Sequence, residues 1–228
     1  MTQAPAAAAA RTRLGLLGGS FDPIHVGHLA LGRAADLALA LDELRFVPAG
    51  LAWQKHGDPG APARTPARHR LAMTRIALAS GTPAHWRVDD IEVRRSGPTY
   101  TVETLEALRA DVGPEVALIL ILGSDQLRNL PSWHRWRDLL RHAHIAVTTR
   151  ERVRLDALPA EVDALVRDHG EQALPDAAGG SIVLFTMPPV AVSATGIRAQ
   201  LSRGEDPAAL LPVGVIDYIR ANQLYGTA

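Results

Sequence analysis

GGSFDPIHVGHL, residues 18–29, stands where a short apolar run ends and a helical pattern begins. The apolar run spans Arg13 to Leu17, and the Ala/Leu-rich helical pattern spans His28 to Leu41. Two glycines at such a junction are typical of a tight turn between a strand and a helix. This stretch therefore predicts a strand, a glycine turn and a helix, the arrangement that opens many nucleotide-binding folds.

The same alternation continues outward along the chain. The residues 116–122 form a continuous apolar run, as expected of a strand covered on both faces. Strands separated by helices predict a parallel sheet with ligands bound at the carboxyl ends of its strands. The fold class is therefore α/β, a doubly wound Rossmann-like sheet. The further predicted strands are 44–47, 91–93, 116–122, 144–149 and 182–185, and the further helices are 66–79, 101–108, 132–140, 193–201 and 213–222.

Length and composition favour one domain of moderate size. The chain has 228 residues, 47% of them hydrophobic, so we assign residues 13–226 to a single domain and residues 1–12 to a disordered tail. Residues 49–65 and 152–180 are weakly periodic and are predicted to be loops, either functional lids or insertions.

Charge and cysteine content exclude several classes of protein. The 24 basic residues balance the 24 acidic ones, so we expect neither nucleic acid nor an anionic membrane as a partner. There is no cysteine and no apolar run of about 20 residues, which favours a cytoplasmic enzyme without disulfides or a spanning helix. The oligomeric state stays open, a homo-oligomer included.

The first group of candidate site residues lies in residues 18–29. His25 and His28 are three apart, so on a helical turn they can face one small anion. Gly18 and Gly19 let the backbone approach a phosphate, and the following helix N-terminus favours negative charge. An ordinary tight turn is the alternative. A metal site is not predicted, because Asp22 is the only nearby third ligand.

The second group lies in VSATGIRAQL, residues 192–201. Ser193 is a suitable helix N-cap, and Thr195 and Arg198 follow with the spacing of one helical turn. A hydroxyl and a guanidinium at a helix start can clamp a phosphate. The alternative is a capped helix with a solvated arginine.

Residues 18–29 closely resemble the HxGH signature of the nucleotidyltransferase superfamily, and residues 193–198 resemble the SxTxIR element of bacterial nicotinate-nucleotide adenylyltransferases. Residues 47–55, 91–105 and 120–136 are similar to further segments of that family. The resemblance implies a nucleotidyltransferase-type fold. It also implies transfer of an adenylyl group from ATP to nicotinate mononucleotide, which yields deamido-NAD and pyrophosphate in NAD biosynthesis.

The resemblance also implies roles for individual residues, beginning with ATP. The histidines would contact the triphosphate and stabilise charge during in-line attack on the α-phosphate, and the SxTxIR element would hold the β- and γ-phosphates. Asp125 would bind the ribose, with a helix N-cap as the alternative. The expected ATP contacts are Gly18, Gly19, Ser20, Phe21, His25, His28, Gly123, Asp125, Ser193, Thr195 and Arg198, with His25, His28, Lys55 and Arg198 as the catalytic residues.

The pyridine nucleotide is expected on a separate set of residues. Trp133 would stack on the pyridine ring, whereas Trp136 fits core packing better. Lys55 can neutralise a phosphate, and its alternative is an ordinary solvated lysine. Tyr100 and Thr101 either meet the nucleotide or simply start a helix. The expected contacts are Ser20, Phe21, Lys55, Tyr100, Thr101 and Trp133.

Magnesium is the expected cofactor, carried by the ATP phosphates because the sequence shows no carboxylate cage. Three other functions remain as alternatives. The acceptor could be nicotinamide mononucleotide, or phosphopantetheine as in a related HxGH adenylyltransferase. The chain could also be a non-catalytic nucleotide-binding protein, because fold alone does not establish activity.

Overall fold

The computed structural model describes residues 11–52, 65–79, 81–149 and 158–227, with the backbone alone for residues 51–52. Most of the predicted tail, residues 1–10, lies outside this part. The last two residues of the predicted tail, Arg11 and Thr12, are described and contact the folded domain. The Arg11 Nη1 lies 2.9 Å from a carboxylate oxygen of Glu115, and the Thr12 carbonyl accepts a hydrogen bond from the Ala117 amide at 2.9 Å.

Strands and helices alternate along the chain as the sequence predicts. The strands are β1 (Arg13–Gly19), β2 (Glu43–Pro48), β3 (Leu51–Ala52), β4 (Trp86–Val88), β5 (Pro98–Thr99), β6 (Ala117–Gly123), β7 (His144–Thr149), β8 (Gly170–Glu171) and β9 (Ile182–Thr186). The helices are α1 (Val26–Leu39), α2 (Ala67–Ala79), α3 (Thr101–Val112), α4 (Ser124–Arg128), α5 (Leu139–His142), α6 (Ala160–His169), α7 (Ala194–Ser202) and α8 (Val215–Ala221).

The main sheet has seven strands in the order β4-β2-β1-β6-β7-β9-β8, and every neighbouring pair is parallel. A separate parallel pair joins β3 to β5. The chain runs from β1 toward one edge through β2 and β4, and then returns to β6 on the other side of β1. The order therefore reverses between β1 and β6, and ligands bind at such a switch point in open α/β sheets. The predicted doubly wound sheet is confirmed.

Strand β6 shows why the sheet is covered on both faces. Alternate residues of a strand point to opposite faces. Leu118, Leu120 and Leu122 pack in one hydrophobic cluster, whereas Ile119 and Ile121 pack in the other. All five are at most 4% exposed. Helices α1, α2, α7 and α8 cover the isoleucine side, and α3, α4, α5 and α6 cover the leucine side.

The predicted strand 91–93 is wrong. Residues 91–94 form a turn, and the strand of this region is β4, which pairs with β2. The two acidic residues before the turn explain the difference. The Ile91 amide donates to the Asp89 carboxylate at 3.0 Å, and the Arg94 amide donates to the Asp90 carbonyl at 3.0 Å. These local bonds use backbone groups that a strand would pair with a neighbour.

The predicted helix 132–140 is also wrong as a continuous element. Two short 3-10 turns, Leu130–Ser132 and Trp136–Asp138, precede α5. Arg135 separates them with a left-handed backbone at φ 49°, which interrupts helical geometry. Its side chain bonds to Glu106 at 2.8 Å and to Asp138 at 2.9 Å, and these ion pairs hold the break in place.

The predicted loop 152–180 contains a helix, α6, that was not predicted from the sequence. Val162 is the fully buried residue of α6, and Leu165 and Val166 pack partly buried against the same cluster, so the segment carries a short apolar stripe at helical spacing. Residues 152–157 of this loop lie outside the described part of the chain.

Candidate functional site

The two predicted histidines lie together at the start of α1. His25 is the N-cap residue, with extended backbone at φ −144° and ψ 171°, and His28 occupies the first helical turn. Their rings stack with centroids 3.7 Å apart and planes 22° from parallel. The sequence predicted that these side chains converge, and the geometry brings them into contact at the helix end where anions are favoured.

One hydrogen bond sets which nitrogen of His28 carries the proton. The His25 amide donates to the His28 Nδ1 at 3.2 Å, so Nδ1 acts as an acceptor. A neutral imidazole with an accepting Nδ1 carries its proton on Nε2. The His28 side chain therefore offers an N–H donor through Nε2 while remaining uncharged.

Burial keeps both histidines neutral near physiological pH. It lowers the pKa of His25 to about 4. Burial also lowers the pKa of His28 to about 3, and the nearby His25 adds to this effect. The His25 Nδ1 is buried without a hydrogen-bond partner in the described part of the chain, and a backbone hydrogen bond of the His25 side chain only partly opposes the lowering of its pKa by burial.

Phe21, the aromatic residue of the glycine turn, packs against His28. Phe21 has a left-handed backbone at φ 47°, and its side chain is 1% exposed. Its ring meets the His28 ring edge-on, with centroids 4.9 Å apart. Because the ring is buried, only the Phe21 backbone can face a ligand, whereas the sequence placed Phe21 in contact with both nucleotides.

Gly27, between the two histidines, allows a close approach to the C-terminal motif. A Cβ at this position would lie 2.7 Å from the Val192 Cγ1 and 3.1 Å from the His25 Nδ1. Carbon atoms do not approach this closely without displacement, so the site needs glycine here. The stretch 25–28 and residue Val192 therefore pack as one unit.

The C-terminal motif reaches the first motif through its arginine. The Ser193 Oγ caps α7 by accepting from the Gly196 amide at 3.1 Å, as predicted. The Arg198 Nη1 donates to the Asp22 carbonyl at 2.7 Å, and its Nη2 donates to the Thr195 Oγ1 at 3.3 Å. Arg198 is therefore tied to the turn before His25, and it is not the solvated arginine of the alternative interpretation.

A first cavity, the histidine cavity, opens at the carboxyl ends of β6, β7 and β9. Its volume is about 200 Å³. It brings the histidine pair together with the predicted Gly123 and Asp125. Gly123, and not Asp125, is the N-cap of α4, so the N-cap alternative for Asp125 is wrong. The lining residues are His25, Gly27, His28, Gly123, Ser124, Asp125, Thr148, Met187, Pro188, Pro189, Val190 and Val192.

A second cavity, the aromatic cavity, lies on the other side of the glycine turn. Its volume is about 170 Å³. It contains the predicted pyridine-nucleotide residues Ser20, Tyr100, Thr101 and Trp133. Gly18 and Gly19, predicted for ATP, line this cavity as well. The remaining lining residues are Leu16, Val47, Ala49, Glu92, Thr99, Thr104, Leu105, Leu120, Leu122, Gln126 and His134.

Two tryptophans near this cavity differ in environment. Trp133 is half-buried at the cavity wall, between the two 3-10 turns and not on a helix. Trp136 is 7% exposed and belongs to the core, as the sequence predicted. A flat side chain held at a cavity wall can stack on an aromatic ligand.

Several site residues were missed from the sequence. Glu92 lines the aromatic cavity, and its Oε1 accepts from the Thr104 Oγ1 at 3.0 Å. Burial raises the pKa of the Glu92 carboxyl, although hydrogen bonds and Arg95 partly oppose this effect. Gln126 and His134 also line this cavity, and they lie within residues 120–136, which resemble a segment of the family. Each directly follows a predicted site residue, Asp125 or Trp133, and this position in the sequence could have identified them.

The predicted catalytic Lys55 lies outside the described residues, as does most of the predicted loop 49–65. Within the described ranges, no group of three or more His, Asp or Glu side chains is arranged to hold a metal ion. In the same part of the chain, no helix has the length and apolar character needed to cross a membrane.

Comparison with known proteins agrees with this geometry. The model of the cytidylyltransferase-like family matches residues 16–200. A relative from Herminiimonas arsenicoxydans, named "probable nicotinate-nucleotide adenylyltransferase", is 38% identical over 93% of this chain and 96% of its own length. A relative of the same name from Laribacter hongkongensis is 44% identical over 94% of this chain and 95% of its own.

Solved structures show the same fold. The nicotinic acid mononucleotide adenylyltransferase of Plasmodium falciparum, complexed with NaAD, aligns with a TM-score of 0.71. The alignment covers 95% of this chain and 98% of that one at 19% identity. A second structure of that enzyme, complexed with APC, aligns with a TM-score of 0.69. With relatives this similar over nearly its whole length, the chain belongs to the nicotinate-nucleotide adenylyltransferase family of cytidylyltransferase-like proteins.

Proposed function

We propose that this chain transfers the adenylyl group of ATP to nicotinate mononucleotide, forming deamido-NAD and pyrophosphate in NAD biosynthesis. The observation that carries the proposal is the pair of cavities at the switch point between β1 and β6. One cavity holds two stacked imidazoles, and the other holds Tyr100 and Trp133. A reaction that joins two nucleotides needs two such sites that meet at one phosphate.

ATP fits the histidine cavity. The Asp125 carboxylate can accept hydrogen bonds from ribose hydroxyls. Thr195 and Arg198, at the start of α7, can bind the outer phosphates, because a guanidinium and a helix N-terminus both favour anions. The His28 Nε2–H can donate to the triphosphate without first losing or gaining a proton.

Nicotinate mononucleotide fits the aromatic cavity. Trp133 at the wall can stack on the pyridine ring. Tyr100 is the N-cap of α3, and its side chain accepts no hydrogen bond from the first amides of this helix. The positive end of a helix favours a carboxylate over a neutral amide, and we infer a preference for the acid substrate.

The chemical step needs no nucleophilic side chain. A phosphate oxygen of the mononucleotide forms a bond to the α-phosphorus of ATP. The bond from that phosphorus to the oxygen that bridges the α- and β-phosphates breaks, and this oxygen leaves with the pyrophosphate. Negative charge builds on the transferred group and on the leaving pyrophosphate. In this proposal His25, His28 and Arg198 stabilise that charge, and positioning with electrostatic stabilisation supplies most of the rate enhancement. Lys55 stays a prediction as a further phosphate contact.

Nucleotidyltransferases of this family use a divalent metal ion with ATP. We propose Mg²⁺, which is bound mainly by substrate phosphates in such enzymes and keeps several of its waters. Among the described residues that line the histidine cavity, Asp125 is the one carboxylate, and this donor set suits an ion that arrives on the triphosphate. The ion would supply charge neutralisation at the phosphates. We also propose that the enzyme acts in the cytoplasm.

Pyrophosphate release with ATP and Mg²⁺ tests the function, with nicotinate mononucleotide, nicotinamide mononucleotide and phosphopantetheine compared at matched concentrations. We expect the highest kcat/KM with nicotinate mononucleotide. A preference for the amide would keep the reaction and change the substrate. If the protein binds ATP but releases no pyrophosphate in the presence of either pyridine nucleotide, the proposal is refuted and the chain is a non-catalytic nucleotide-binding protein.

A further inference from the structure

Arg70 is a buried arginine next to the candidate site that none of the roles above uses. It lies on α2 and is 2% exposed, on the helix face that also carries the buried Met73 and Ala77. A guanidinium at such a depth is unfavourable unless hydrogen bonds compensate for its lost hydration. The hydrogen bonds of the Arg70 guanidinium must therefore compensate for the cost of its burial.

The contacts of Arg70 are carbonyl oxygens of the segments that form the site. Its Nη1 donates to the Ser20 carbonyl at 2.8 Å, and its Nη2 donates to the Gly50 carbonyl at 2.9 Å. Its Nε donates to the Thr65 carbonyl at 3.0 Å. Ser20 directly follows β1, and Gly50 follows β2. One planar group thus joins the carboxyl ends of two neighbouring strands, and charged donors make stronger bonds than neutral ones.

Gly50, whose carbonyl Arg70 holds, packs directly against the wall of the aromatic cavity. A Cβ at Gly50 would overlap the Glu92 carbonyl oxygen, so the two backbones are in close contact. Glu92 lines the cavity, and its carboxylate accepts from Thr104 of α3. Ser20, which follows the neighbouring strand β1, lines the same cavity. Arg70 therefore holds two parts of the cavity at a fixed separation.

We propose that Arg70 is a positioning residue for adenylyl transfer, and that it acts by holding the Ser20 and Gly50 carbonyls so that the aromatic cavity presents the mononucleotide phosphate to ATP. The proposal rests on the function proposed above. Lysine cannot replace arginine here, because an ammonium is a point charge on a flexible stem and does not reproduce the fixed fork of Nε, Nη1 and Nη2 donors that reaches the three carbonyls. A displacement of about 1 Å in such a site lowers the rate on the order of 100-fold.

Arg109 provides a matched control elsewhere in the same fold. It also donates to main-chain carbonyls. The distances from its Nη1 and Nη2 atoms to the carbonyl oxygens are 2.6–2.8 Å, and the acceptors are Gly113, Val116, His142 and Ala178. Val116 precedes β6 and His142 precedes β7, so Arg109 lies at the amino ends of the strands, away from both cavities. Replacing either arginine by lysine disturbs a comparable network, but only one of the networks touches the site.

The experiment compares Arg70→Lys with Arg109→Lys in the full chain. We measure Tm, the Kd for ATP by calorimetry, and steady-state pyrophosphate release with varied nicotinate mononucleotide. Both variants should have a lower Tm. Only Arg70→Lys should lower kcat/KM for the mononucleotide, by about 10- to 100-fold. Its Kd for ATP should stay within about twofold of wild type, since the three carbonyls that Arg70 binds belong to Ser20, Gly50 and Thr65, which are not among the described residues that line the histidine cavity.

Equal kcat/KM in Arg70→Lys and Arg109→Lys would overturn the proposal and leave Arg70 a purely structural residue. Chemical rescue gives an independent test. Millimolar guanidinium should restore part of the activity of Arg70→Ala, whereas urea at the same concentration should not. Rescue by neither, in a variant with a wild-type circular dichroism spectrum, would also contradict the positioning role. Failure of the proposed function is distinguishable, because the wild-type chain would then release no pyrophosphate with either pyridine nucleotide.

Discussion

The neutral histidine pair predicts a specific pH dependence of stability. His28 has a pKa of about 3 in the folded protein because of burial and the neighbouring His25, compared with about 6.5 in an unfolded chain. Between these values the unfolded chain binds a proton that the folded chain does not. The free energy of unfolding therefore falls as the pH falls below about 6.5, and the contribution is fully present above that pH.

The size of the effect follows from the two pKa values. Between pH 7 and pH 5 a histidine with this shift contributes a loss of about 2 kcal/mol in the free energy of unfolding. Replacing His28 by glutamine removes the titrating group but keeps a polar side chain that can accept from the His25 amide. The variant should therefore lose about 2 kcal/mol less than wild type over this pH range.

Urea unfolding followed by tryptophan fluorescence at pH 7 and at pH 5 measures this difference. The quantity compared is the change in unfolding free energy between the two pH values, in wild type and in His28→Gln. An identical change in both proteins would mean that His28 takes up its proton equally in the folded and unfolded states. That result would refute a buried, uncharged histidine pair.

Three further substitutions test individual contacts. His28→Ala should lower turnover about 100-fold or more at unchanged fold, as loss of a donor to the transition state does, and near-normal turnover in the pyrophosphate assay would remove His28 from the mechanism. Gly27→Ala should cost about 1–3 kcal/mol in urea unfolding, because its Cβ meets Val192; the double variant with Val192→Ala should recover most of this, and no recovery would contradict the contact. Tyr225→Phe should destabilise the protein by about 1–3 kcal/mol, because the 7% exposed Asp22 loses the hydroxyl that donates to it at 2.6 Å; a Tm equal to that of wild type would show that this bond contributes nothing.

The sequence was most informative where its signal is local. The apolar run that became β6 could be predicted because a strand buried on both faces has no polar positions to confuse it. The histidine spacing predicted contact because residues three apart share one side of a helical turn. The family resemblance then identified distant segments as parts of one site, which periodicity alone does not do.

The sequence was least informative where distant groups decide the structure. The break at Arg135 depends on Glu106, 29 residues away, and no local pattern indicates it. The division of the site into two cavities depends on the strand order, so the sequence alone does not indicate that Gly18 and Gly19 line the aromatic cavity. Arg70 left one readable signal, a charged residue on the apolar side of a predicted helix.

The two ends of the sheet show why the same residue type serves different purposes. Arg109 donates to carbonyls at the amino ends of the strands, where a rigid network stabilises the fold away from both cavities. Arg70 gathers carbonyls at the carboxyl ends, where the same rigidity fixes the shape of a cavity. His28 follows the same logic, since its Nδ1 is used by the His25 amide and only Nε2 remains for a ligand. Protonation at Nδ1 would break that bond, so the fold itself favours the uncharged donor in the absence of phosphate.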